Sequence, residues 1–316
     1  MLVFTLRRIL QAIPSLIFIA IVSFTLLHIV PGGPAQSLLG QHSTPARIAA
    51  INRSLGLNKP LPVQFGIWFW HLLHGNFGYS YSYSQPVLHV IGVYLPHTLE
   101  IVTVAFILAH IVSVVLGTIQ GYYQGRWFDH VITTFTFFLW SMPVFWLGIL
   151  IVMIFSINLG WFPSGGITNP EFPGGFASYV SHATLPIMVL MLSTVASWAR
   201  FMRSSIMDAM VQDYVRTARS KGLSEFMVLF KHALRNSVLP IITLFGLSIP
   251  SLFGGALVVE LIFNYPGIGL LTWNAAFQRD YPIILGTVMM VGVLTVAGNL
   301  IADLLYGLVD PRITYS

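Results

Sequence analysis

Residues Ile9–Val30 read ILQAIPSLIFIAIVSFTLLHIV, an apolar stretch without a formal charge that directly follows the basic pair Arg7-Arg8. A helix needs about 20 such residues to cross the hydrocarbon core of a bilayer, so this stretch predicts a transmembrane helix. It is too long for the apolar core of a cleaved signal peptide, and no small-residue cleavage pattern follows it. We therefore expect an uncleaved membrane anchor here.

The composition of the whole chain extends this expectation beyond the first helix. Of its 316 residues, 56% are hydrophobic and only 8% are charged, whereas a soluble domain carries about 25% charged residues. Most of the surface must therefore face lipid, and the sequence predicts an all-α integral membrane protein with six transmembrane helices. The five further spans are Ile101–Gly121, Val131–Leu159 with Pro143 inside it, Thr184–Phe201, Ser237–Phe263 with Pro240 near its start, and Pro282–Leu308.

The basic residues predict the orientation of these spans. Six spans put both termini on one side, and the side richer in Lys and Arg is the cytoplasmic one. Of the 15 Lys and Arg residues, eleven lie on the side of the termini and four on the other, so both termini are expected in the cytoplasm. Orientation also explains the net charge of +5 without nucleic acid. The eleven are Arg7, Arg8, Arg126, Arg200, Arg203, Arg216, Arg219, Lys221, Lys231, Arg235 and Arg312; the four are Arg47, Arg53, Lys59 and Arg279.

Two long segments lie outside the spans. The external one, Pro31–Pro96, holds an aromatic stretch, Phe65–Trp70, that we expect in the membrane interface, where Trp rings are enriched. Its neighbour Tyr79–Ser84 is expected to form a surface loop or short strand rather than a ligand site. The other segment is cytoplasmic. We expect an N-terminal part, 1–98, formed by the first helix and the external loop, and a core, 99–316, with five helices and a cytoplasmic loop over 202–236.

The cytoplasmic segment is predicted to form two short helices around a tight bend. Asp213 and Ser224 are suitable N-caps, and Gly222 stands where a left-handed residue ends the first helix. The first helix contains Arg216 and Arg219, followed by Lys221, with no acidic partner at helical spacing. These bases indicate either an acidic partner outside the chain or simply the positive-inside rule.

The spacing within this segment has a known counterpart. Ala218 is followed four residues later by Gly222 and eighteen residues further by Pro240, which resembles the cytoplasmic signature loop of ABC importer permeases. The stretches DYVRTARSKGL at Asp213–Leu223 and HALRN at His232–Asn236 resemble the dipeptide/oligopeptide/nickel branch of that family. The chain departs from the general motif where Arg216 replaces the signature glutamate. Further similar stretches are Pro31–Pro34, Leu55–Phe65, Gly75–Gly78, Ser141–Phe145, Tyr265–Gly269 and Arg279–Pro282.

The resemblance implies a type I ABC importer permease-like fold and a subunit forming half of a translocation path for di-/oligopeptides or similar small solutes. Nickel chelates, glutathione and short oligosaccharides remain open as solutes. The chain lacks a Gly-x-x-x-x-Gly-Lys-Ser/Thr phosphate loop, so we expect a non-catalytic subunit without a cofactor. ATP and Mg²⁺ would be bound by two ABC ATPase subunits or domains. The other implied partners are a second homologous permease, an external solute-binding protein and the cytoplasmic membrane of a bacterium or archaeon.

The resemblance implies coupling roles for residues of the cytoplasmic loop, and several residues within the predicted spans are candidates for the path. Burial against its own helical bundle is the rival reading for Phe226, and helix packing is the rival reading for Glu260. His28 and His110 are expected to be packing residues, and no metal site is predicted. The residues expected to couple to the ATPases are Arg216, Ala218, Arg219, Lys221, Gly222, Leu223 and Phe226; those expected to line the path are Ser141, Pro143, Ser248, Ser251 and Glu260.

Two other classes of protein fit the sequence less well. A secondary carrier or channel that works without ATPase partners usually has charged groups near mid-membrane, and carriers often contain inverted repeats. Glu260 and Asp303 are the acidic residues inside predicted spans, and both lie near helix ends. An intramembrane enzyme would need a Ser/His pair at matched depth or a His-Glu-x-x-His motif, and neither is present.

Overall fold

The chain is helical almost throughout in a computed structural model, which describes residues 2–29, 33–39, 44–54, 56–168, 175–238 and 249–309. Within these ranges a single antiparallel bridge, between Tyr79 and Pro86, is the β-structure present. The helices are α1 (Leu2–Ile29), α2 (Gly33–Leu39), α3 (Pro45–Ser54), α4 (Leu61–Leu73), α5 (Val87–Tyr122), α6 (Trp127–Ser141), α7 (Val144–Ile151), α8 (Gly175–Met210), α9 (Asp213–Ser220), α10 (Glu225–Met227), α11 (Ile249–Ile262), α12 (Ile268–Gln278) and α13 (Tyr281–Val309).

Several of these helices are long and apolar enough to cross a membrane, which confirms an all-α, multi-pass protein. The second and fourth spans are longer than predicted, since α5 and α8 each run over 36 residues. Part of the predicted fifth span, 239–248, lies outside the described residues, and α11 forms its remainder. The membrane-spanning candidates are Thr5–Ile29, Val87–Tyr122, Gly175–Met210 and Tyr281–Ile301, with Trp127–Ser141 and Val144–Asn158 as a bent pair.

The predicted third span is not one straight helix. It begins earlier than expected, at Trp127, and is bent by 109° between α6 and α7. Proline has no backbone N–H and keeps the residue before it out of the α conformation. Met142 is accordingly extended, with φ −80° and ψ 131°, and Pro143 begins the second arm. That arm ends in a π-helical stretch, Val152–Asn158.

Two compact units divide the chain. The first consists of Met1–Thr98 and Pro266–Ala297. Its core contains residues from the start of α5, from α12 and from the start of α13. α5 and α13 approach closely at Gly286, where a Cβ would lie 2.5 Å from Cγ1 of Val87, so glycine is required there. The core residues are Val87, Val90, Ile91, Ile268, Leu271, Ala275 and Ile283.

The second unit consists of Leu99–Tyr265 and Gly298–Ser316 and is held together by two larger apolar clusters. α5 and α8 pack with little space between them. A Cβ at Gly117 would lie 2.5 Å from Cβ of Met202, and a Cβ at Gly121 would lie 2.7 Å from Cβ of Ile206. Small residues allow helix backbones to approach this closely. The Gly222 loop, defined here as residues 211–236, continues directly from α8.

Candidate functional site

The Gly222 loop has the two-helix form predicted from the sequence. α9 ends at Ser220, and Gly222 follows with φ +75°, the left-handed conformation that glycine adopts without steric cost. Ser224 then caps α10 by accepting a hydrogen bond from the backbone N–H of Met227. The predicted cap at Asp213 is wrong by one residue: Gln212 occupies the N-cap, and Asp213 is the first helical residue. Its charge still suits the positive end of the helix dipole.

Two of the three bases predicted to lack a partner, Arg216 and Arg219, have acidic partners within the chain, which corrects the prediction for them. Arg219 Nε and Nη2 donate to Oε1 and Oε2 of Glu225 at 2.9 and 3.2 Å, across the bend. Arg216 Nη1 donates to Oδ1 of Asp213 at 3.4 Å, one helical turn away. Both pairs are largely exposed, so they remain accessible to a partner at the surface.

A buried apolar cluster fixes this loop to α8. Val215 and Ala218 on one side of the bend, and Val228 on the other, are buried against Met202 and Ile206. Ala218 therefore anchors the loop inside its own chain, and Leu223 is half-buried against the same cluster. The cluster makes the bend part of a packed unit rather than a free loop.

Reciprocal hydrogen bonds join the two ends of the loop. Ser237 Oγ donates to the carbonyl of Ser205 at 3.0 Å, and Ser205 Oγ donates to the carbonyl of Ser237 at 2.9 Å. Ser205 lies in α8, and Ser237 lies in the helical stretch 234–238. Sequence reasoning missed this pair because a serine in a helix gives no signal of a distant partner.

The surface of the loop is both apolar and basic. Phe226 is 72% exposed, so the rival reading of burial against its own bundle is wrong; its ring lies beside that of Phe230, with centroids 4.5 Å apart and the planes tilted by 37°. A π-helical stretch, Val228–Ala233, continues α10, and the apolar face predicted for the second helix is split, since Leu229 and Ala233 in this stretch are buried. A Cβ at Gly222 would meet no atom of the described residues within 4 Å. The apolar and basic part of the exposed surface, together with Gly222, is here called the docking face and comprises Val211, Tyr214, Arg216, Arg219, Lys221, Gly222, Phe226, Met227 and Phe230.

A second charged cluster near this loop was missed by sequence reasoning. Arg203 Nε and Nη2 donate to Oδ1 and Oδ2 of Asp129 at 2.7 and 2.8 Å, which links α8 to the first turn of α6. The backbone N–H of Gly125 also donates to Asp129, at 3.0 Å, and Thr133 Oγ1 at 3.3 Å. Asp129 was overlooked because the third span was predicted to begin at Val131. An acid in the first turn of a helix was the signal available.

Arg200, another base on α8, packs on aromatic side chains, in addition to its predicted role in marking the orientation of its helix. Its guanidinium lies over the rings of Phe137 and Trp140, with distances of 4.9 and 4.6 Å to the centroids. Such stacking lets a cation pack on an aromatic surface. From the sequence, Arg200 and Arg203 were expected only as markers of orientation.

The described residues that were predicted to line a path lie on two elements of the second unit. Ser141 and Pro143 lie at the bend between α6 and α7, and Ser141 Oγ donates to the carbonyl of Phe138 at 2.9 Å. Glu260 is fully buried near the end of α11. Ser251 lies in the same helix, and Ser248 lies outside the described residues.

A tyrosine cluster lies in the same unit as Glu260. The hydroxyl of Tyr179 donates to a carboxylate oxygen of Glu100, and the hydroxyl of Tyr265 donates to that of Tyr179 at 3.4 Å. Tyr265 is fully buried, and this burial raises the pKa of its hydroxyl. The sequence identified Tyr265 only as part of a family-like stretch, with no indication of its partners.

In the first unit, buried Asp280 organises the Tyr79–Ser84 stretch. Its Oδ2 accepts hydrogen bonds from Ser80 Oγ at 2.5 Å and from the backbone N–H of Ser82 at 2.9 Å. Burial, together with the charge of Asp280, raises the pKa of Tyr81 to about 12. Residues Tyr79–Ser84 form a surface loop, as predicted, which is closed by the bridge between Tyr79 and Pro86. Asp280, from the Arg279–Pro282 stretch, holds this loop by its hydrogen bonds.

These features define a multi-pass helical membrane protein with an anchored two-helix loop, and comparisons with known proteins give its family. A model of the binding-protein-dependent transport system inner membrane component matches residues 113–315. A second model, of the N-terminal region of such membrane components, matches residues 1–102. The chain belongs to the family of binding-protein-dependent transport system inner membrane components, which confirms the predicted class of non-catalytic transport subunit.

Relatives match over nearly the full chain. The oligopeptide transport system permease protein AppB of Bacillus subtilis is 42% identical over 313 residues, 99% of each chain. The dipeptide transport system permease protein DppB of Alkalihalophilus pseudofirmus is 38% identical over 333 aligned positions, covering all of both chains. A putative peptide transport system permease protein of Brucella abortus is 39% identical over 310 residues, 98% of each chain.

Two solved structures share the fold. One belongs to the MetNI methionine ABC transporter in inward facing conformations, with a TM-score of 0.53 and 13% identity. The match covers 69% of this chain and 97% of that one. The other is an amino acid ABC transporter with histidines, with a TM-score of 0.51, 14% identity, and coverage of 69% and 94%. The predicted fold of an ABC importer permease is therefore confirmed, although these distant structures speak for the fold alone.

Proposed function

We propose that this chain forms half of the translocation path of an ATP-driven importer of di- and oligopeptides or chemically similar small solutes. The relatives named as oligopeptide, dipeptide and peptide permeases support this solute class, because they align over almost the full chain. A second, homologous permease would supply the other half. Two ATPase subunits or domains would provide the energy, and an external binding protein would deliver the solute.

The proposed topology has six spans with both termini in the cytoplasm, divided into an N-terminal part, 1–98, and a core, 99–316. The distribution of basic residues supports this orientation. The chain contains no cysteine, so single cysteines at positions 222 and 76 can be tested with a membrane-impermeant thiol reagent. In intact cells we expect labelling at position 76 alone. Labelling at position 222 from outside would contradict the topology.

The observation that carries the proposed mechanism is the docking face on an anchored bend. Its exposed apolar and basic residues have no covering segment in the described part of the chain, while Val215 and Ala218 beneath it are tightly packed. A surface of this kind moves as one body with α8. ATPase subunits bound to it would therefore transmit their closure to the helices, a rigid-body transition of packed elements.

Ser141, Pro143, Ser248, Ser251 and Glu260 remain our candidates for the path. The 109° bend supports a role for Ser141 and Pro143. A break in a membrane helix leaves backbone N–H and C=O groups without partners in the helix, and such groups can line a polar cavity. Full burial of a carboxylate in a membrane helix is costly, which supports a functional role for Glu260.

The coupling proposal is tested with Phe226→Ser in the complete transporter. Phe176→Ser is the matched control, because Phe176 is 82% exposed at the opposite end of α8. We expect Phe226→Ser to reduce ATPase co-purification and uptake of a labelled tripeptide about tenfold, the loss of one buried aromatic anchor. Phe176→Ser should retain both.

Three outcomes would decide against the proposal. Equal uptake by both variants would remove the docking face from the mechanism. Full tripeptide uptake by the chain without ATPase subunits would instead indicate a secondary carrier. If the transporter takes up another solute in an ATPase-dependent way, and peptides neither enter nor compete with that solute, only the proposed solute class would be contradicted.

A further inference from the structure

A cavity of about 540 Å³ lies within the first unit, and none of its described lining residues belongs to the docking face or to the path candidates. It is bordered by α1, by α4, and by the start of α13, with the aromatic rings of Phe24 and Trp68 in contact on one wall at a centroid distance of 5.4 Å. Arg53 and Lys59 line its rim, and none of the described lining residues is acidic. The cavity therefore combines apolar walls with a positive rim.

Three lining residues carry a buried polar atom without a hydrogen-bond partner in the described chain: His28 Nε2, Gln64 Oε1 and the hydroxyl of Tyr281. The other polar atoms of two of them are engaged. Gln64 Nε2 donates to the carbonyls of Leu57 and Lys59, and His28 Nδ1 lies 2.8 Å from the carbonyl of Phe24. Leaving a buried polar atom without a hydrogen bond is unfavourable, so three such atoms around one cavity point to a missing partner.

The chemistry of the unsatisfied atoms restricts that partner. Gln64 Oε1 is solely an acceptor, so it needs a hydroxyl or N–H donor. Arg53 and Lys59, both exposed at the rim, favour an anion, for which phosphate is well suited. The apolar walls favour a ligand with a hydrocarbon portion next to its polar head.

The surroundings of the cavity fit the headgroup region of a bilayer. α4 exposes a row of apolar side chains, including Trp70 at 62% and Leu73 at 65%, as expected of a helix lying in the interface. Trp rings concentrate at headgroup level, and basic side chains near it attract anionic lipids. The exposed apolar residues of α4 are Leu61, Val63, Ile67, Trp70 and Leu73.

We propose that this cavity is a binding site for an anionic phospholipid of the phosphatidylglycerol type. Its phosphodiester lies at Arg53 and Lys59, and a headgroup hydroxyl donates to Gln64 Oε1. The acyl chains leave along the apolar wall formed by Trp68 and α1. A bound lipid thereby joins α1 to the external segment.

The test measures lipid binding to the purified full chain, without reference to transport. The chain is stripped of lipid in a mild detergent and titrated separately with phosphatidylglycerol, phosphatidylcholine and glycerophosphoglycerol, and bound species are counted by native mass spectrometry. We expect saturable binding of phosphatidylglycerol alone. The double variant Arg53→Gln/Lys59→Gln should bind it at least about tenfold more weakly, the loss of about one charge-assisted hydrogen bond.

Arg47→Gln is the matched control. Arg47 lies exposed on α3, the helix that also carries Arg53, but it does not line the cavity. It should bind phosphatidylglycerol as the parent chain does. Equal affinity for phosphatidylcholine, equal binding by glycerophosphoglycerol without acyl chains, or unchanged binding by the double variant would each overturn the proposal. An unchanged thermal midpoint for every variant confirms that folding is intact.

Discussion

Two arginine–carboxylate pairs have the same fork-shaped geometry but differ in burial. Arg203 and Asp129 join α8 to α6 with the carboxylate side chain 3% exposed, whereas Arg219 and Glu225 span the Gly222 bend with side chains 41% and 50% exposed. The buried carboxylate has two further donors, from Gly125 and Thr133. The exposed pair has water around it instead.

Because of this difference in burial, the Arg203–Asp129 pair stabilises the fold, whereas the Arg219–Glu225 pair can exchange one partner for a group on another subunit. Removing one partner of a buried pair leaves an uncompensated charge at low dielectric, which costs several kcal/mol. An exposed pair contributes about 0–1 kcal/mol, since water replaces either partner. Arg219 can therefore exchange Glu225 for a carboxylate of another subunit at little cost, while Arg203 cannot leave Asp129.

The largest effect is expected from breaking the buried pair. Asp129→Ala should lower the free energy of unfolding by about 3 kcal/mol, because Arg203 loses its counter-charge. Unfolding in mixed micelles, followed by tryptophan fluorescence, measures this loss.

The control for that variant removes the second charge as well. Asp129→Ala combined with Arg203→Met should recover most of the lost stability, because an apolar pair carries no desolvation cost. A double variant that is no more stable than Asp129→Ala would show that packing, rather than charge, links α6 to α8.

A smaller effect on stability is expected at Gly222, where it can be separated from function. Gly222→Val forces a branched side chain into left-handed backbone and should cost about 1–2 kcal/mol. Gly125 has the same φ of +75° and the same open space where a Cβ would stand, so Gly125→Val should cost a similar amount. Its backbone N–H still reaches Asp129.

Peptide uptake by the assembled transporter then distinguishes the two glycines. We expect Gly222→Val to abolish most uptake, because the added side chain stands on the docking face, and Gly125→Val to keep it at equal expression. Equal loss in both variants would attribute the requirement for Gly222 to backbone strain alone.

The sequence predicted what depends on neighbours along the chain. The apolar runs indicated the spans, and the spacing of Ala218, Gly222 and Ser224 indicated the bend, since glycine and N-cap preferences act locally. It did not reveal the Asp129–Arg203 pair or the 109° bend, which depend on how helices meet and on Pro143 breaking its helix. Gly117 and Gly121 were missed for the same reason: only the packed structure shows that α8 leaves no room for a Cβ.

The smallest effect is expected from the exposed pair, and it is informative because it is small. Arg219→Gln should change the free energy of unfolding by less than about 1 kcal/mol, and a double-mutant cycle with Glu225→Gln should give a coupling energy of similar size. If the docking face binds an acidic surface of the ATPase, Arg219→Gln should nevertheless weaken ATPase co-purification. Glu225→Gln should leave co-purification intact or strengthen it, because Arg219 is then free to pair with the ATPase. This opposite response separates the two halves of one salt bridge. Loss of co-purification in both variants, with stability unchanged, would show instead that the intact pair is what the ATPase recognises.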